Sequence, residues 1–189
     1  MKWKTTSMNT IIPRCLILFS VFITAVGCAP SNYSIKPGNI TPEQITIAQH
    51  QKGSVVLKVD GGWDKTILGL QLMPNAAVMD ALKAALEKSG LFEKISADGQ
   101  GDFRLEAFIF DINQPLLGGG DTNVLVEIAW TLSRLDSGDI LWRESIETSH
   151  TTKADAAFGL YERVNLSAEA ATKENIKTAL ERISKIPLQ

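Results

Sequence analysis

The sequence predicts an α+β fold: a two-layer sandwich whose mainly antiparallel sheet of about four or five strands carries two helices on one face. Three observations predict it. Alternating apolar and polar runs over 102–112 and 122–135 read as half-buried strands. Two stretches, 76–88 and one ending near 186, repeat apolar residues at helical spacing instead. The order in the chain, β-α-β-β-β-β-α, suits one sheet with helices on a single face, the other face staying wet.

The first strand is Ser54–Val59, stopped by Asp60-Gly61-Gly62. A loop follows over 61–74. The next helix buries Val78, Ala81, Leu82, Ala85 and Leu86, with Asn75 as its expected N-cap and Gly90 as its stop. A short strand spans Phe92–Ala97. In the strand over 102–112, Phe103, Leu105, Ala107 and Ile109 face the core, and Arg104, Glu106, Phe108 and Phe110 face the other way. The strand over 122–135 turns Val124, Val126, Ile128, Trp130 and Leu132 inward, and Asp136-Ser-Gly-Asp139 makes a hairpin to the strand at 140–151. There Ile140, Trp142 and Ile146 share one face. The last helix runs from Asp155 or Val164 to Ile186, with a break expected near Asn165–Ser167 and Ser167 capping the second part. Pro187 ends it.

Ahead of these elements lie 52 residues of different character. Residues 1–14 hold Lys2, Lys4 and Arg14 and no acid, and an apolar run from Cys15 to Val26 leads to Gly27-Cys28. A basic start, a 12-residue apolar core and a small-residue cleavage point read as a secretory signal peptide over 1–27. The run is shorter than the roughly 20 residues of a membrane span. Thr24-Ala25-Val26-Gly27-Cys28 resembles the lipobox of bacterial lipoproteins, although Val26 and Ala25 stand where other small or aliphatic residues are commoner. That resemblance implies cleavage before Cys28, a diacylglycerol (with palmitate-like chains) on its sulfur, and a periplasmic, membrane-anchored protein. Ala29 in place of Asp leans towards the outer membrane, with the inner membrane as the alternative. Residues 28–52, with Pro30, Pro37, Pro42, Gly38 and several Ser and Asn, read as a lipid-anchored, partly ordered tether, and 53–189 as the folded domain. Thr41-Pro-Glu-Gln-Ile45 could open a helical turn capped by Thr41.

Charge and composition exclude several functions. Loss of 1–27 takes three of the 19 basic residues and none of the 21 acidic ones, so the mature chain is net −5. Nothing in that balance suits nucleic acid. Among the two Cys and two His, His50 lies in the tether and His150 at a strand end, far from the ligand clusters of a zinc site. Gly118-Gly-Gly120 lacks the Lys and the following helix of a phosphate loop and reads as hairpin flexibility, with close approach by a partner or lipid as the other reading. No metal and no cofactor are called for. Glu162, Arg163, Glu169, Lys173, Glu174 and Lys177 read as the solvated face of the last helix.

What is left points to binding. Trp63 sits in a loop with Leu68 and Leu70, which either folds over the core or offers an exposed apolar patch. Phe108 and Phe110 on the outer sheet face suggest a surface for an acyl chain or a partner. Trp142 is expected to be a core ring. Ala81–Phe92, the hairpin Arg134–Trp142 and the helix from Asn175 to Ile186 resemble, in pattern, the auxiliary lipoproteins of ABC-type lipid transport and the LptE-like lipopolysaccharide-assembly lipoproteins. The resemblance implies a non-catalytic binding or assembly subunit with an envelope protein partner and a possible lipid ligand. The alternative is a periplasmic enzyme acting on envelope glycans or acyl groups. Glu144 and Glu147 would be an acid–base pair for it, but their odd separation sends them to opposite faces of a strand.

Overall fold

Five strands form one sheet in the order β2-β1-β3-β4-β5. They are β1 (Gln51–Asp60), β2 (Phe92–Ser96), β3 (Phe103–Asn113), β4 (Thr122–Arg134) and β5 (Ile140–Thr152), with helices α1 (Pro37–Ile40), α2 (Asn75–Ser89) and α3 (Leu160–Ile183). The structure is a computed structural model and describes residues 34–63 and 73–188, which belong to one compact unit, Tyr33–Gln189.

The long ladders, β3 with β4 and β4 with β5, are antiparallel, as expected. The shorter ladders of β1 with β2 and with β3 are parallel. Parallel neighbours need a crossover, and α2 supplies it between β1 and β2. The return from β2 to β3 is made by residues 97–102, which cross the outer face of β1. Gly101 permits this: a Cβ there would lie 3.2 Å from both Ser54 Oγ and Val56 Cγ2. Asp102 then fastens the crossing, accepting hydrogen bonds from Ser54 N (2.7 Å) and Ser54 Oγ (2.8 Å).

The inner face is built as the alternation predicts. Val55, Leu105, Ala107, Val126, Ile128 and Trp130 are buried there. α2 packs on the β1–β2 side with Val78, Ala81, Leu82, Ala85 and Leu86, and α3 covers β4 and β5. Gly90 ends α2 in the left-handed region (φ 60°), its N–H bonded to Leu86 O. Asn75 is not the cap. It is the first helical residue, and its Oδ1 accepts from Gly62 N at 2.7 Å, so it ties the β1 end to the helix start.

Four expectations are corrected. The segment read as a tether is ordered from Ile35 on: Ile35 and Ile40 enter the core, and the chain runs alongside α3. Its isoleucines follow no helical or strand period, so periodicity could not reveal them. Its helical turn is Pro37–Ile40, which Thr41 ends rather than starts, because Pro37 with its fixed φ takes the first turn. α3 has no break at 165–167; the Ser167 hydroxyl instead donates to Thr122 O (2.8 Å) and pairs with Thr152 Oγ1 (2.7 Å). In β5, a bulge between the Trp142 and Ile140 pairings sends Ile140 to the outer face, where it is exposed. Trp142 on this edge strand is only partly buried.

The polar face of α3 also differs from expectation. Arg163 and Glu169 are 4% and 6% exposed. Glu169 Oε1 accepts from Asn39 Nδ2 (2.8 Å) and Lys36 N (3.3 Å). Arg163 donates to Thr122 Oγ1 (3.1 Å) and to the carbonyl of Ala157 (2.8 Å). Buried charges of this kind are found where such partners exist, and those partners come from distant segments that helical spacing does not reveal.

Candidate functional site

The outer sheet face is open beyond the 97–102 crossing. Its rows are set by the strand register: Lys58, Glu106, Thr131 and Arg143 in one, Asp60, Phe108, Ala129 and Ser145 in the next. Small and hydroxyl-bearing residues on β4 and β5 leave Phe108 raised beside them, about half exposed. Lys58 bridges Asp60 at 2.9 Å, and this contact with Asp60 raises the lysine pKa above its ordinary value.

One step towards the end of β3, a bulge between Ile109 and Asp111 makes Phe110 the extra residue. A bulge re-aims its side chain, and Phe110 stands 66% exposed. The bulge brings it to Trp63. β1 ends at Asp60, and Gly61 lies so close to β3 that a Cβ would come within 2.3 Å of Ile109 O. Trp63 then pairs with Met73 as a small antiparallel bridge, Trp63 N donating to Met73 O at 3.1 Å. Gly61, Trp63, Ile109, Phe110, Ile112 and Gln114 together line a small groove of about 70 Å³. Two of its lining side chains are aromatic and two are isoleucines, and Asp111 lines it as well.

Beyond Asp111 the face turns acidic. Asp111 is registered with Glu127, and Glu127 with Glu147, so three carboxylates cross three strands in one row. Ser145 Oγ donates to Glu127 Oε1 at 2.5 Å. Like charges placed opposite each other cost stability, so this row is not there to hold the sheet together.

The structure thus brings together two of the aromatic candidates, Trp63 and Phe110, with Phe108 on the same face of the sheet. Leu68, Leu70 and Cys28 lie outside the described residues. Glu144 and Glu147 fall on opposite faces: Glu144 is registered with the buried Trp130 and pairs with Arg182 of α3, whereas Glu147 is on the outer face. The groove itself escaped the sequence reading because its key element is the bulge at Phe110, and no residue type signals that a ladder slips there.

No family model matches the chain, and no curated protein matches its sequence. Solved structures do match. Protein XCC0632 of Xanthomonas campestris, of the DUF330 family model, is similar at a TM-score of 0.55 and 12% identity, over 79% of this chain and 90% of that one. The hypothetical protein CT253 of Chlamydia trachomatis is similar at 0.51 and 10% identity, over 72% and 98%. The likeness is one of fold. A minor lipoprotein of Acinetobacter baumannii reaches 17% identity over 69% of this chain and 90% of that one, at a TM-score of 0.45 that adds nothing to it.

Proposed function

We propose that this chain is a bacterial envelope lipoprotein, anchored through Cys28 to the periplasmic face of the outer membrane. It serves there as a non-catalytic binding or assembly subunit of a lipid or lipopolysaccharide transport system. The observation that carries the binding role is the groove between Trp63 and Phe110. Two large aromatic side chains stay in water there although the core is already filled, and a bulge and a close backbone approach are spent on placing them. Exposed aromatic anchors of this kind dominate binding energy at interfaces, and an apolar groove of this size takes an apolar side chain or the end of an acyl chain. The lipobox-like Thr24–Cys28 supports the anchor, and more than one acyl chain gives stable attachment.

Two measurements test this. Wild-type chain should incorporate labelled fatty acid and Cys28→Ser should not; an unlabelled wild type rejects the anchor. For the groove, a photo-crosslinking phenylalanine replaces Trp63 or Phe110 in the full chain in cells, with Arg143 as the control on the same face. Adducts should form at 63 and 110, their mass separating lipid from protein. Adducts that are absent there, or equally abundant at 143, reject the groove.

A further inference from the structure

The groove lies at the end of the sheet where β1 and β3 finish and β4 begins, and that same end carries two apolar loop tips. Leu117, 90% exposed, stands on the β3–β4 connection with Leu116 half exposed beside it. Phe158, fully exposed, stands on the connection from β5 to α3, and Tyr161 follows in the first turn of α3.

The bases of these tips are fastened. Asp121, at the foot of the first loop, accepts from Lys153 Nζ (2.7 Å) and Ala154 N (3.0 Å) of the second. Buried Arg163 holds the carbonyls of Ala157 and Phe158 at 2.8 and 3.4 Å. Phe158 is therefore kept in water by a braced backbone, whereas a free loop would be able to fold it onto the core. At the opposite end of the sheet the β4–β5 turn, Asp136-Ser137-Gly138-Asp139, is polar, with Ile140 exposed after it in place of paired apolar loop tips.

The start of the described chain points to the apolar end. Lys36 and Asn39 bind Glu169, Thr46 N donates to Glu181, and Ala48 N donates to Ser184, so the segment runs in the same direction as α3. The described chain, which begins at Ser34, thus starts on the side of the α3 N-terminus. Glu169 lies nine residues, about 14 Å of helix, from Leu160. Eight residues separate Cys28 from Lys36, a reach of no more than about 29 Å when fully extended.

We infer that the apolar loop end, led by Leu117 and Phe158, rests in the interfacial layer of the lipid bilayer that holds Cys28. This rests on the anchoring reading above. The short link brings that end to the membrane by the shorter path, and leucine, phenylalanine and tyrosine suit the boundary between headgroups and acyl chains. With the end so placed, the Trp63–Phe110 groove opens next to the lipid surface, where an acyl chain enters it without crossing water.

The test uses the full lipidated chain, whose Cys28 is blocked by acylation and whose Cys15 leaves with the signal peptide. Phe158→Cys, Leu117→Cys and Ser137→Cys each give one site for an environment-sensitive dye. The labelled proteins are floated with phosphatidylethanolamine/phosphatidylglycerol vesicles containing lipids brominated on the acyl chain. Dyes at 158 and 117 should shift to the blue and be quenched several-fold more than the dye at 137. A floating protein whose dye at 137 is quenched as strongly, or whose dyes at 158 and 117 are not quenched, overturns this orientation and leaves the anchor standing. A protein that does not float overturns the anchor and the orientation together.

Discussion

The indole Nε1 of Trp130 donates to Asn175 Oδ1 at 2.9 Å, with both residues wholly buried. Asn175 Nδ2 in turn donates to Ile146 O at 2.7 Å and lies 3.2 Å from Thr148 Oγ1. One amide of α3 is thereby bonded to both β4 and β5 at the centre of the core. Asn175→Leu should lower stability by about 1–3 kcal/mol, because it strands the indole N–H without a partner. A urea titration that shows no loss would mean that the core relaxes around the vacant donor.

The tryptophans divide by role. Trp130 is the ring that fills the core, Trp142 sits half buried on the edge strand, and Trp63 is 54% exposed. Trp130→Ala should cost about 3–5 kcal/mol. Trp63→Ala should leave the thermal midpoint nearly unchanged and weaken crosslinking at the groove. A Trp63→Ala protein that melts as early as Trp130→Ala would make Trp63 a lid on the core rather than a contact residue.

Acid should loosen two clasps. The backbone N–H and hydroxyl of Ser54 hold the Asp102 carboxyl below an ordinary aspartate, and Lys153 and the Ala154 N–H do the same for Asp121. A lowered folded pKa adds stability that is complete above the unfolded value of about 3.9 and fades as pH falls through the folded one. Asp102→Asn with Asp121→Asn should therefore melt below wild type at neutral pH, with the gap closing as pH drops below about 4. Both groups are exposed to solvent, so the slope is shallow. A gap that stays constant across the range would show that the lost contribution comes from geometry rather than from charge.

Glu169 should govern the N-terminal segment locally. Its carboxylate holds Lys36 N and Asn39 Nδ2 against α3. Glu169→Ala removes both contacts and should speed amide exchange over residues 36–48 well before it affects the sheet. Unchanged exchange in that segment would assign its order to Ile35 and Ile40 alone.

The amino-acid sequence by itself determined the secondary elements of the domain and the faces they bury. Alternation in β3 and β4 and helical spacing in α2 and α3 are local consequences of side-chain geometry, and each selects its own inward face. Alternation also put Phe108 and Phe110 on the outer face, while Trp63 stayed open between a cover for the core and an exposed patch. The tertiary structure decided what depends on contacts between distant segments. These include the parallel placement of β1 between β2 and β3 and the burial of Arg163 and Glu169. They also include the bulges that expose Ile140 and aim Phe110 at Trp63. The packing of residues 35–50 along α3 is of the same kind. A bulge is a slip between two strands, and a buried charge is stable only beside partners dozens of residues away. Neither leaves a period in the chain, so the groove at Trp63 and Phe110 exists only once β1 and β3 lie side by side.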